Sequence, residues 1–378
     1  MGLINIFKRN KKGSTARRCT ILKIYGLALG LLVFGVSTVF SQETGITGDA
    51  TAFSDRFMPV PLNSGFQMPG FETWCGSVIK GEDGRYYMFA SRWPTGKGYI
   101  WALDSEVVLA SSDNPIGPYQ FEDVVLPKRG TRYWDGMMTH NPTIHKYKGT
   151  YLLYYTGTTY TERNYPTAWA NKRIGLATAT SVRGPWKRMD APILEPRPGR
   201  WDNQITSNAA PCVMPDGKVF LVYKSTKTGH WADGHFDFDL RLGVAVADNY
   251  AGPYKHVSEE PILTFTGTKN SNAEDAYLWH EKDGFHMLCK VFDAGTPLIG
   301  EDDGGIHAVS KDGINWKLAD NPKGYSRTIV WADGRKETVW KLERAQLLIE
   351  DGVITHAIFA IINDKGGKMH NIVVPVRK

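Results

Sequence analysis

The sequence predicts an all-β fold, a five-bladed β-propeller with four-stranded antiparallel blades around a central axis. Three observations predict it. An apolar run, a turn usually containing glycine, and a second apolar run recur five times along the chain. A second half-repeat follows each of the first four copies, and no sustained helical periodicity interrupts the series. Four strands per unit at a period of about 65 to 70 residues match a propeller blade with loops.

The N-terminus stands apart from this pattern. Lys8, Arg9, Lys11, Lys12, Arg17, Arg18 and Lys23 precede any acid, and an apolar run from Ile24 to Phe40 follows, ending at Ser41. This is the pattern of a secretory signal over residues 1–41, with a mature start near Gln42 and one propeller domain over 42–378. An uncleaved anchor is the alternative, although the apolar run is short for a bilayer span. Either way the expected location is secreted or periplasmic, with no membrane contact beyond the signal. The full chain carries 45 basic and 39 acidic residues; without the seven basic residues of the signal the counts are 38 and 39. The apparent basicity therefore belongs to targeting, and no electrostatic footprint for nucleic acid remains. Cys75, Cys212 and Cys289, widely spaced, read as small buried residues rather than a disulfide framework.

The first halves of the units open at Cys75, His140, Asn208, Glu274 and Glu343. Each places a turn between runs of strand-forming residues, which is a hairpin pattern. The second halves run from Val107, Ile174, Leu242 and Gly305, and three of them contain Gly-Pro-aromatic, at Gly117, Gly184 and Gly252. The fifth unit ends at Met369 to Val376, one strand short. The segment from Phe57 to Phe71 is expected to supply that strand and close the ring, leaving no open sheet edge.

Innermost strands of a propeller start around the axis, so residues just before them converge on one mouth. The convergent set is Trp74 and Cys75, His140 and Asn141, Asn208, Glu274 and Asp275, and Glu343 and Arg344. Trp134-Asp135 and Trp201-Asp202 occupy matching places upstream of units two and three. Acids, amides and tryptophans around one mouth form the composition of a sugar site, because aromatic faces stack on pyranose C–H surfaces while amides and carboxylates bond hydroxyls. The expected substrate-binding residues are Trp74, Trp134, His140, Asn141, Asn208, Asp275, His307, Glu343 and Arg344.

Five blades, with Glu274-Asp275-Ala276-Tyr277-Leu278 opening the fourth and a Gly turn following, resemble the five-bladed glycosidase superfamily typified by glycoside hydrolase family 43 and the related family 117. The resemblance implies a glycoside hydrolase with Glu274 in the general-acid slot. It covers the mature chain at blade level, through short motifs. The sequence departs from the family pattern where an Asp is expected: the first three slots read Cys75-Gly76, Asn141-Pro142 and Asn208-Ala209. Asp135 or Asp202, with Glu72 as a third candidate, is then expected to supply the base.

Cleavage needs one carboxyl that keeps its proton and one that stays ionised. Glu274, beside Asp275 and an apolar strand, suits the donor role because a like charge and burial both raise a carboxyl pKa. Asp275 itself is expected to turn off the axis toward backbone amides. Inversion would set the two carboxylates roughly 6.5–9.5 Å apart. The expected activity is thus a secreted, exo-acting, inverting glycosidase. The alternative is a non-catalytic carbohydrate-binding propeller that has lost its base. Each residue also has a structural reading: Glu274 as a carboxylate paired with Arg344, Asp135 and Asp202 as blade-packing residues, His140 and His307 as packing histidines. No cofactor is required, no catalytic metal is assigned, and a structural calcium near the axis is the one ion the sequence leaves room for.

Overall fold

Each hairpin read from the sequence becomes the inner half of a sheet. A computed structural model describes residues 51–96, 100–227, 239–265, 273–292 and 295–378; the signal segment 1–41 and the start near Gln42 lie outside the described residues. Blade I is β1 (Phe71–Lys80), β2 (Tyr86–Pro94), β3 (Glu106–Ser112) and β4 (Gln120–Leu126). Blade II is β5 (Met138–Tyr147), β6 (Thr150–Thr158), β7 (Arg173–Ala179) and β8 (Lys187–Arg188). Blade III is β9 (Ser207–Val213), β10 (Val219–Ser225), β11 (Arg241–Ala247) and β12 (Lys255–His256). Blade IV is β13 (Ala273–Glu281), β14 (Gly284–Val291), β15 (Gly305–Ser310) and β16 (Lys317–Tyr325). In all four the strands pair in sequence order and antiparallel. After a short hairpin, β17 (Thr328–Val330) with β18 (Lys336–Thr338), blade V follows as β19 (Lys341–Glu350), β20 (Val353–Ile362) and β21 (Met369–Pro375).

Blade V has three strands, and the N-terminal segment completes it. Phe57 bridges Val376 and Phe66 bridges Asn371, both antiparallel. Phe66 and Asn371 exchange two backbone hydrogen bonds of 3.1 Å each. The segment from Phe57 to Phe66 thus covers the last strand. Gly65 belongs to this clasp, at φ +79°, and a Cβ there would stand 1.9 Å from the Asn371 carbonyl oxygen. Only glycine fits.

Apolar faces of adjacent blades form the core. One cluster joins blades IV and V through Tyr277, Trp279, Leu288, Leu347 and Phe359, and another joins blades III and IV through Val222, Val244, Leu278 and Met287. Cys75, Cys212 and Cys289 are buried free thiols within this packing.

Two short helices, read as loops in the sequence, shape the mouth. α1 (Trp101–Asp104) lies between the second and third strands of blade I, and α2 (Tyr165–Ala170) takes the same place in blade II. Asn164 caps α2 by accepting from the Thr167 amide at 2.9 Å, and Pro166 suits the first turn, where its missing N–H has no intrahelical partner. A third, α3 (Gly295–Ile299), precedes β15.

Candidate active site

The five innermost strands share a backbone feature that aims one side chain each at the axis. Cys75, Asn141, Asn208, Asp275 and Arg344 all have positive φ, between 51° and 59°. Each lies where the pairing of the first strand with the second slips register. A bulge of this kind re-aims a side chain, and Asn and Asp tolerate the left-handed region better than other non-glycine residues.

The five side chains form a ring. The Cys75 thiol donates to Asn141 Oδ1 at 2.7 Å, and Asn141 Nδ2 donates to Asn208 Oδ1 at 2.7 Å. Asn208 Nδ2 donates to Asp275 Oδ1, and Arg344 Nη1 stands 3.8 Å from the same oxygen. Arg344 Nη2 reaches back to Thr143 Oγ1 at 3.3 Å.

Above the ring opens a cavity of about 470 Å³. Trp74, Trp93, Trp101, Trp169 and Trp340 line it together with the polar set from the ring. His140 also faces it; its ring stacks on Trp101 at 4.6 Å and 17°, and Nδ1 bonds Ser105 Oγ at 2.7 Å. Burial holds its pKa well below the usual imidazole value, so the ring is neutral. A second cavity of about 620 Å³ lies at the opposite ends of the inner strands, among Lys80, Lys146, His280 and Glu350.

The structure brings together Trp74, His140, Asn141, Asn208, Glu274, Asp275, Glu343 and Arg344, all of which line the smaller cavity. It separates the other candidates from them. Asp135 is fully buried outside the cavity, bonded by Arg129 Nε at 2.7 Å, Tyr155 at 2.6 Å and Arg188 at 3.3 Å. Asp202 is its counterpart in blade III, bonded by Arg197 at 2.9 Å and Tyr223 at 2.7 Å. Trp134 stacks on Tyr155 just as Trp201 stacks on Tyr223. The two Trp-Asp pairs are therefore braces between loop and second strand, and the expectation that one of them supplies the base fails on burial and prior pairing. His307 lies on β15, stacked on Trp279 and bonded to His286 at 3.1 Å, outside the cavity. Glu72 accepts from the Met369 amide at 2.7 Å and belongs to the closure.

The electrostatics reverse the expected roles of the adjacent acids. Burial favours the neutral form of Glu274, but the charges of Lys224, at 2.7 Å, and Lys290, at 3.6 Å, outweigh it and hold the carboxyl down at about 2. Asp275 is pushed up to about 6 by burial and by the Glu274 charge, against the opposing pull of Arg344. Glu274 is thus the carboxyl held ionised and Asp275 the one whose pKa is raised, on the axis rather than turned away from it. The alternative pairing of Glu274 with Arg344 is not formed; Arg344 faces Asp275.

Sequence reasoning missed the lysines. Lys224 and Lys290 stand at the ends of the second strands of blades III and IV, 6 % and 1 % exposed, and each crosses to a carboxylate of the following blade, Lys290 meeting Glu343 at 2.5 Å. Their signal was present: a lone lysine ends an apolar run at the same place in units three and four. Trp101, Tyr165 and Trp169 were missed because they sit on α1 and α2. Glu281, Asp283 and His286 are, among the described residues, the group whose ligand atoms lie close enough for a metal. They stand at the tip of the β13–β14 hairpin and not among the residues that line the axial site.

These sheets define an all-β, five-bladed β-propeller with a pocket on its axis. No protein-family model matches the chain, and no curated protein matches it. Solved structures do. The chain is similar to BT0996 as solved in a complex with RGII, with TM-score 0.62 and 17 % identity over 85 % of this protein and 92 % of that one. It is similar to Zg3597, a family 117 glycoside hydrolase from the marine bacterium Zobellia galactanivorans, with TM-score 0.58 and 18 % identity over 84 % and 88 %. A thermostable family-43 glycoside hydrolase matches with TM-score 0.55 and 14 % identity over 82 % and 95 %. At these identities the likeness establishes the shared fold, that of the family 43 and family 117 glycoside hydrolases.

Proposed function

We propose that the chain is a glycoside hydrolase that holds a sugar in the axial pocket and cleaves its glycosidic bond, with Asp275 as proton donor and Glu274 as the ionised carboxylate. The observation that carries this is the divergence of two neighbouring carboxyls in one pocket, Glu274 at about 2 and Asp275 at about 6. Two titratable groups driven apart by their surroundings are what acid and base roles require. The tryptophan walls supply stacking faces for a pyranose, and a ring of side chains beneath them favours removal of a terminal residue.

Blades I to III present Trp74, His140, Asn141 and Asn208 to the pocket and, among the described residues, no carboxylate. With no water-activating base across the ring among the described residues, we assign Glu274 to direct attack on the anomeric carbon while Asp275 protonates the departing oxygen; water then hydrolyses the glycosyl ester. That order gives retention of configuration. The same missing carboxylates favour a second reading, a sugar-binding propeller without catalysis.

Incubation with a panel of plant and algal oligosaccharides, followed by chromatography for released monosaccharide, separates the two. Released sugar that is lost in Glu274→Gln supports the hydrolase; saturable binding with no new reducing ends supports the binding propeller. The basic and apolar segment 1–41 further supports export, which predicts a mature chain beginning near Gln42 by N-terminal sequencing.

A further inference from the structure

Hydrogen bonds link the ring beneath the pocket at every joint except the two made by Arg344. This side chain is 1 % exposed. Its nearest carboxylate oxygen, on Asp275, lies 3.8 Å from Nη1, too far for a hydrogen bond, and already accepts from Asn208. Nε and Nη1 have no hydrogen-bond partner, and Nη2 has only the Thr143 hydroxyl at 3.3 Å. A buried guanidinium left this way costs free energy that a properly placed anion would recover.

Among the described residues no carboxylate other than Asp275 stands near it unengaged. Glu274 is engaged by Lys224 and Lys290, and Glu343 by Lys290 and Lys341 at 2.5 and 3.3 Å. The neighbours of Arg344 around the ring on its other side, Cys75 and Asn141, are neutral. Four cations, Lys224, Lys290, Lys341 and Arg344, thus line the cavity with three carboxylates. Below about pH 6 Asp275 gives up its charge as well, which leaves Arg344 with no anionic neighbour from the ring.

Resting on the reading of this cavity as a sugar site, we infer that the sugar it accepts is acidic, bearing a carboxylate or a sulfate ester that seats on the open N–H groups of Arg344. A neutral hydroxyl would accept one hydrogen bond there and leave the positive charge uncompensated. A planar anionic group meets both needs, and guanidinium is the side chain best matched to it.

Isothermal titration of the wild-type protein with matched sugars tests this: galactose, galacturonic acid and galactose 6-sulfate, and the corresponding glucose and mannose sets. In the set that binds, an acidic member should bind on the order of 10-fold to 100-fold tighter than its neutral partner. That preference should shrink only in part as NaCl is raised from about 50 to about 500 mM, because a buried charge pair is screened much less than an exposed one. Whether the uronate or the sulfate binds tighter identifies the anion. Arg344→Gln should erase the preference; if that variant is unfolded by circular dichroism, the wild-type comparison decides alone. A neutral sugar bound as tightly as both acidic partners overturns the inference and leaves the sugar-site reading standing. Binding of none of the sugars overturns the sugar-site reading, and the inference with it.

Discussion

Replacing Lys224 by Met tests directly what holds Glu274 ionised. Lys224 Nζ touches Glu274 Oε2 at 2.7 Å, and both side chains are nearly buried, 7 % and 13 % exposed. At that distance the raw attraction is about 6 kcal/mol for an effective dielectric of 20. The net effect is smaller, because burial opposes it. A carboxyl lowered from 4.5 to about 2 has gained about 3 kcal/mol from its surroundings. A depressed folded-state pKa contributes stability that is fully present above the unfolded value and is lost as pH falls toward the folded one. In the wild type that loss runs from pH 4.5 down to about 2. Without Lys224 the burial cost faces only the more distant charges of Lys290, at 3.6 Å, and Lys341, and the Glu274 carboxyl should rise toward its unfolded value. The stability gap between wild type and Lys224→Met should then widen by about 2 kcal/mol from pH 3 to pH 7, since linkage leaves the wild type only part of its advantage at the acid end. Urea unfolding of both proteins at a series of pH values measures it, with the carboxylates remote from Lys224 cancelling in the difference and Asp275, whose charge Lys224 also favours, adding to it in the same direction. A gap that stays constant with pH would show that Lys224 does not hold the Glu274 charge.

Two further outcomes test the scaffold. Asp135→Asn should destabilise the fold by about 3–5 kcal/mol, because it strands the charges of Arg129 and Arg188, while sugar binding by the folded fraction stays at the wild-type level. Calorimetry and titration on one preparation check both halves. Gly65→Ala should lower stability by more than about 1 kcal/mol, through a positive φ and a Cβ pressed on Asn371, and denaturant unfolding reads it.

The hairpins were legible because each strand pair carries its own local pattern. Even the clasp was legible, since a unit one strand short needs a partner for its open edge. The site was legible by position, because inner-strand starts converge in any propeller; that is why Asn141, Asn208, Glu274 and Arg344 were found. What spacing does not carry is which charge meets which. Trp134-Asp135 and Trp201-Asp202 show in sequence as matched acids near a mouth, yet Arg129 and Arg188 pair with Asp135 and Arg197 pairs with Asp202, which locks both acids away. Glu274 and Asp275 show as neighbours of like charge, which suggested that Glu274 keeps the proton. Two lysines from the second strands of blades III and IV, together with a bulge that turns Asp275 to the axis, shift the two carboxyls in the opposite directions.

The assignment of proton donor stands or falls on the kinetics of Asp275→Asn with two kinds of substrate, once a cleaved sugar is known. Asn keeps the shape and the bond to Asn208 but has no proton to give. For glycosides with poor leaving groups kcat/KM should fall by on the order of 10² to 10⁴, whereas aryl glycosides with good leaving groups, which depart with little protonation, should lose far less. Wild-type activity on the poor substrates should decline as pH rises through about 6, and that decline should be absent from the variant. Equal losses on both kinds of substrate, or undiminished cleavage of the poor ones, would contradict the account.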